Sequence, residues 1–107
     1  MEKIKKQIIG YAPVDSGQLI VIDPCYLEDW KAGEVKFKDD AVVNASDNHY
    51  AATCAATTGE NSGGEILIMG VGGNGVAFST GYGDGHYPVT AEYDDNSRII
   101  RITIDFT

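Results

Sequence analysis

The sequence has no Lys or Arg between Lys38 and Arg98, although nine Asp and Glu residues fall in that stretch. A nucleic-acid polymer needs a basic stripe that neutralises phosphates. No such partner is expected, and docking on anionic lipid is disfavoured for the same reason. Long apolar runs are also missing. Nothing approaches the roughly 20 apolar residues of a membrane-spanning helix, and the Ala- and Thr-rich Asn48 to Gly59 run is too polar for lipid. Cysteine is scarce. Cys25 and Cys54 are too few for a disulfide scaffold, and a reducing compartment disfavours their pairing. The start, Met1-Glu2-Lys3-Ile4-Lys5-Lys6, is charged and lacks the apolar run of a signal peptide. A cytoplasmic protein is expected, in the host cytoplasm if the chain is viral. The Asn44-Ala45-Ser46 glycosylation triplet is then without meaning.

What remains is an ordinary globular mix. The 107 residues are 43% apolar and 22% charged, with a net charge of −8. One domain spanning 1–107 is expected, with one core and no linker. The dominant hydrophobic period is two. Ile100, Ile102, Ile104 and Phe106 alternate with Ile99, Arg101, Thr103 and Asp105, which reads as a strand with one wet face. Tyr87, Val89, Ala91 and Tyr93 alternate in the same way, and the Asp94-Asp95-Asn96-Ser97 turn cluster joins the two runs into a hairpin. Gly75 to Thr80 reads as a strand with Val76 and Phe78 inward. Glu65 to Met69 reads as a central strand buried on both faces, and Gln18 to Ile22 has the same character. Tyr50 to Thr58 and Ala41 to Asn44 are further candidate strands. Only Leu27 to Lys31 and the first few residues look helical. The expected fold is all-β: a compact antiparallel sandwich or small barrel of about seven or eight short strands with minimal helix. Unpaired edge strands would allow a homo-oligomer.

Gly70-Val71-Gly72-Gly73-Asn74-Gly75 fits the G-x-G-x-x-G dinucleotide pattern. That pattern works only where a helix begins at the glycines and its N-terminus holds the pyrophosphate. The residues that follow, Val76-Ala77-Phe78-Ser79-Thr80, are strand-like, and Asn-Gly is a favoured hairpin pair. A glycine-rich hairpin is expected instead, with no cofactor.

Two clusters concentrate functional side chains. The first is Val14-Asp15-Ser16-Gly17 followed, after a strand, by Asp23-Pro24-Cys25-Tyr26. Turn chemistry accounts for Asp15, Ser16, Gly17 and Pro24. Asp23, Cys25, Tyr26 and Trp30 remain as residues that line a pocket or cap the core. The second is Ser79-Thr80-Gly81-Tyr82-Gly83-Asp84-Gly85-His86-Tyr87-Pro88. Glycine at every second position breaks the strand and permits close backbone approach. Either this is a wide hairpin loop, or Tyr82, Asp84, His86 and Tyr87 belong to a ligand-binding loop.

Other chemistry is weaker. Cys25, His49, Cys54 and His86 lack the tight spacing of a zinc site, and no calcium-loop pattern exists, so no metal is expected. Cys25 as nucleophile with His86 or His49 as base and Asp84 as orienter has the right residue types but no local signature. A small phosphate ligand would need a cation such as Arg101 brought beside the glycine loop.

The motifs Val14-Asp15-Ser16-Gly17-Gln18-Leu19, Asp23-Pro24-Cys25-Tyr26 and Gly81-Tyr82-Gly83-Asp84-Gly85-His86-Tyr87-Pro88-Val89 resemble those of a family of small, largely uncharacterised β-proteins encoded by phages and bacteria. In that family the residue at the His86 position varies, which favours Asp84, Tyr87 and Asp23 as the carried-over positions. The resemblance implies a non-enzymatic binding protein of phage or prophage type, a counter-defence factor for a small nucleotide-like ligand or a host protein. The alternatives are a small hydrolase of a nucleotide or ester, and an acidic nucleic-acid mimic that occupies a host protein.

Overall fold

The computed structural model describes residues 5–26, 32–44, 49–58, 62–68 and 74–107. Eight strands form two antiparallel sheets. The elements are β1 (Lys5–Val14), β2 (Gln18–Val21), a 3-10 turn (Pro24–Tyr26), β3 (Ala32–Lys36), β4 (Val42–Asn44), α1 (His49–Thr57), β5 (Gly63–Ile68), β6 (Asn74–Ser79), β7 (Gly85–Tyr93) and β8 (Ile99–Ile104). The larger sheet has the order β2-β6-β5-β3-β4 and the smaller the order β1-β7-β8. The arrangement is sandwich-like rather than a closed barrel, because each sheet keeps two edges.

The hairpin expected from period-two alternation is present. β7 pairs with β8 from Val89↔Ile104 to Tyr93↔Ile99. Its turn is closed by Asp94, whose Oδ1 accepts from the backbone of Asn96 and Arg98. The strands on either side of the glycine-rich run pair with each other, but Asn74 and Gly75 lie within β6, opposite Leu67 and Ile66, rather than at the turn, and residues 69–73 lie outside the described residues. β5 pairs antiparallel with β6, and β6 runs as strand through the residues where a nucleotide-binding helix would begin.

Several expectations change. The candidate strand Tyr50 to Thr58 is instead helix up to Thr57, the body of α1 (His49–Thr57). Ala51, Ala52, Ala55 and Ala56 are good helix formers, and Ala52 and Ala56, four apart, share one face. Both are fully buried against the larger sheet. The start of the chain was expected to be helical, yet from Lys5 onward it is the ten-residue β1, which spans β7 from Lys5↔Tyr93 to Val14↔Gly85. The expected helix at Leu27 to Lys31 lies outside the described residues. β3, unmarked by any period in the sequence, pairs with both β4 and β5.

The inward face of β6 is the reverse of the expected one. Gly75 and Ala77 are buried, while Val76 is half exposed. The small residues face α1, where a Cβ on Gly75 would lie 3.2 Å from Ile20. Ile66 of the central β5 is fully buried and Leu67 half-buried, and with Val35, Ala52, Ala56 and Ala77 Ile66 forms the main core. Burial of Ile66 and Val35 contributes about 1.5–3 kcal/mol each. The core thus lies between helix and sheet. The two sheets meet through Phe78 of β6, whose ring centroid is 6.1 Å from that of Phe106, and through Tyr87, edge-on to Phe106 at 5.1 Å. Ile100 and Ile102, expected inward, stay 44% and 47% exposed.

Candidate functional site: the glycine turns at the sheet crossing

The chain passes between the two sheets twice, from β1 to β2 through Asp15-Ser16-Gly17 and from β6 to β7 through Thr80 to Asp84. Both glycine motifs of the sequence are these crossings, and they meet. A Cβ on Gly17 would lie 3.7 Å from Gly83 Cα. Gly17 has φ +70° and Gly83 φ +82°, the left-handed region that glycine adopts without a steric cost.

Thr80 binds the two turns together. It is buried; its backbone N–H donates to Gly17 O at 2.9 Å, and its hydroxyl lies 2.6 Å from Gly83 O and 3.3 Å from Gly17 O. The Tyr87 hydroxyl donates to the same Gly83 carbonyl at 2.6 Å. Ser79 Oγ accepts from the Gly81 N–H. Hydrogen bonds of this kind contribute about 0.5–1.5 kcal/mol each. The result is a loop whose interior polar groups satisfy one another and whose remaining side chains point away. Tyr82 is 74% exposed, and Asp15, Ser16, Asp84 and His86 are exposed. Asp15 and Asp84 flank the last β1–β7 pair, Val14↔Gly85, and His86 stands opposite Pro13.

The expected site residues therefore divide. Tyr82, Asp84 and His86 stand together at the crossing. Tyr87 belongs to the same loop but is consumed by the fold, its ring on Phe106 and its hydroxyl on Gly83. Asp23 caps its own turn, accepting from the Cys25 N–H at 2.9 Å, while its carbonyl accepts from the Tyr26 N–H. Cys25 is exposed, and Tyr26 packs against the helix–sheet core. Trp30 lies outside the described residues.

Arg101 is elsewhere. Its guanidinium meets Glu92 at 3.1 Å, at the opposite end of β7 from Gly85, and Lys6 approaches the same carboxylate at 3.9 Å. The expected cation beside the glycine loop is thus held by Glu92, which the fold buries on β7 between its two edge neighbours. The sequence offers a signal for this trio, since Glu92 and Arg101 face each other across the hairpin that period-two alternation defines.

No hydrogen bond or ion pair joins any two of Cys25, Asp84 and His86 among the described residues, and no three of His, Cys, Asp and Glu there converge on a metal position. Gln18 donates to Cys54 Sγ at 3.4 Å and accepts from Thr57, so Cys54 belongs to the seam between β2 and α1. No helix among the described residues is long and apolar enough to cross a membrane.

Compared with curated proteins and with solved structures, the chain has no significant match. A family model does match, across residues 2–104, and it covers both glycine crossings and all eight strands. The chain belongs to the family described as protein of unknown function (DUF4241).

Proposed function

We propose that the chain is a non-enzymatic binding protein of the phage or prophage type that its motifs resemble, and that it holds a host protein at the paired glycine turns. One observation carries this reading: two turns distant in sequence lock together through Thr80 and Gly83 and display Asp15, Tyr82, Asp84 and His86 outward. A loop already held in one conformation loses little entropy on binding. An exposed tyrosine ringed by polar groups is a common energetic anchor at protein interfaces.

A protein is favoured over a small nucleotide-like ligand. No Lys or Arg stands on either turn, and the nearest chemistry is carboxylate. A basic protein surface complements that charge, whereas a phosphate does not. The hydrolase and nucleic-acid-mimic readings stand as alternatives that no contact at the crossing favours.

The test is capture of a defined host protein by immobilised wild-type chain and by Tyr82→Ala and Asp84→Ala variants. Loss of about tenfold or more in affinity is expected, with the melting temperature kept. A melting temperature raised by a nucleotide would overturn the reading in favour of a small ligand. Collapse of stability in both variants would show that the residues serve the fold.

A further inference from the structure

The two sheets leave four edges, and three are blunted. β4 has three residues and β2 four, the latter running into Asp23-Pro24. β1 is long, but it carries Lys5, Lys6 and Pro13 and a register break between Ile8 and Gly10. Lysine, proline and bulges are the usual devices that stop an edge from pairing. β8 is six residues long, has no Gly or Pro, confines its register break to Ile100 near its start, and is unpaired on its outer side among the described residues. It keeps Ile99, Ile100 and Ile102 about half exposed.

The β8 segment is also complementary to itself. Beyond the register break at Ile100, the residues Ile102, Ile104 and Phe106 alternate with Arg101, Thr103 and Asp105. When such a segment is laid antiparallel on a copy of itself with Thr103 opposite Thr103, Ile102 falls opposite Ile104 and Arg101 opposite Asp105. Around the axis apolar then meets apolar and each cation meets a carboxylate, while Ile99, beyond the register break, would fall opposite Thr107. Shifting the register by one residue would put each side chain opposite one from the wrong face. The charges are available. Arg101 spends one guanidinium nitrogen on Glu92, and an arginine has five donors. Asp105 is fully exposed and uses Oδ1 alone, toward Thr107.

We propose that the chain forms a two-fold homodimer in which β8 pairs antiparallel with β8 of a second copy, with Thr103 on the axis and Arg101 facing the second copy's Asp105. The two small sheets become one six-stranded sheet. The second copy's Ile104 covers Ile102 beside the apolar groove of about 470 Å³ lined by Val21, Phe78, Ile102, Ile104 and Phe106, while each Phe106 stays packed on Phe78 and Tyr87 of its own chain. Charge complementarity and the self-matching order of side chains select a second copy as occupant. The closed two-fold contact uses the same surface on both chains and does not propagate into fibres. It leaves both glycine crossings open, because β8 pairs with β7 from Val89 to Tyr93, beyond the Thr80 to Asp84 turn.

Sedimentation and site-directed cross-linking test this. The wild-type chain is expected at about 23 kDa, twice the 11.5 kDa of one chain. Asp105→Lys sets lysine against the second copy's Arg101 and is expected to weaken association about tenfold or more, with cooperative melting retained. In a Cys25→Ser, Cys54→Ala background, Thr103→Cys is expected to oxidise to a covalent dimer, because directly opposed residues have neighbouring Cβ atoms. Thr90→Cys, one strand further from the axis on β7, is expected to stay monomeric. A monomer at about 0.1 mM would overturn the proposal and leave the edge to another partner. So would a dimer indifferent to Asp105→Lys that fails to cross-link through Thr103→Cys, or an open-ended polymer.

Discussion

The two sheets bury their residues to very different depths. The five-stranded sheet has α1 on one face, and there Val35, Ala52, Ala56, Ile66 and Ala77 lose all contact with water. No helix among the described residues covers the three-stranded sheet. Its buried positions are Val14, Tyr87, Ala91 and Glu92, while Ile8, Ile9, Tyr11, Ile99, Ile100 and Ile102 remain exposed. One sheet is finished within the chain. The other offers an apolar edge, a salt-bridged carboxylate and the crossing turns, which is where interaction surfaces are expected. The difference teaches that the burial that stabilises this chain is concentrated in the helix-covered sheet, and that the proposed recognition would fall to the other.

The largest expected effect sets the two sheets side by side. Ile66→Ala removes a fully buried side chain under α1 and should cost about 2–5 kcal/mol. Ile102→Ala, at 47% exposure, should cost about 1 kcal/mol or less in dilute chain. Chemical denaturation measures both. A cost for Ile102→Ala that grows with protein concentration would sharpen the comparison, because dimerisation makes stability depend on concentration. Equal costs at low concentration would break it.

A middle-sized effect lies where the sheets join. Gly83 O accepts from both the Thr80 and Tyr87 hydroxyls. Thr80→Val and Tyr87→Phe should each cost about 1 kcal/mol. The double variant should cost more than their sum, since only then does the carbonyl lose both donors. Strict additivity in a double-mutant cycle would show that the junction is not one unit.

The smallest effect is at the end of β8. Hydrogen bonds from the Thr107 hydroxyl and backbone N–H hold the Asp105 carboxyl below its ordinary value. A carboxyl lowered on folding adds stability that is present above its unfolded value and fades as pH falls through the folded value. Thr107→Ala should shift the Asp105 titration upward, toward the ordinary range, in carboxyl NMR. An unmoved titration would show that the side-chain bond does not set it.

Much of this arrangement is legible in the chain. Alternation through Tyr87 to Tyr93 and Ile99 to Phe106 defines a hairpin that the structure keeps, regular from Val89↔Ile104 to Glu92↔Arg101 and broken in register beyond, because side-chain period and pleat share the same repeat. The glycine motifs mark turns, since Gly17 and Gly83 can take the positive φ that these turns need without a steric cost. Less legible is α1. A run of Ala, Thr, Cys and Tyr has no clear period, and its helix forms where a sheet face of small residues, Gly75 and Ala77, leaves room for it. The position of Arg101 was equally hidden. Its strand and its partner Glu92 across the hairpin are legible, but its distance from the glycine loop depends on which end of β7 the hairpin covers.

The sequence by itself determined the antiparallel β character, the turns, and the absence of a basic stripe between Lys38 and Arg98. These depend on neighbours in the chain and on composition. Only the tertiary structure decided that both glycine motifs are sheet crossings, that they lock through Thr80, and that β8 is left as the open edge. Those outcomes rest on contacts between residues tens of positions apart, such as Gly17 with Thr80, and no local pattern encodes a contact across that separation.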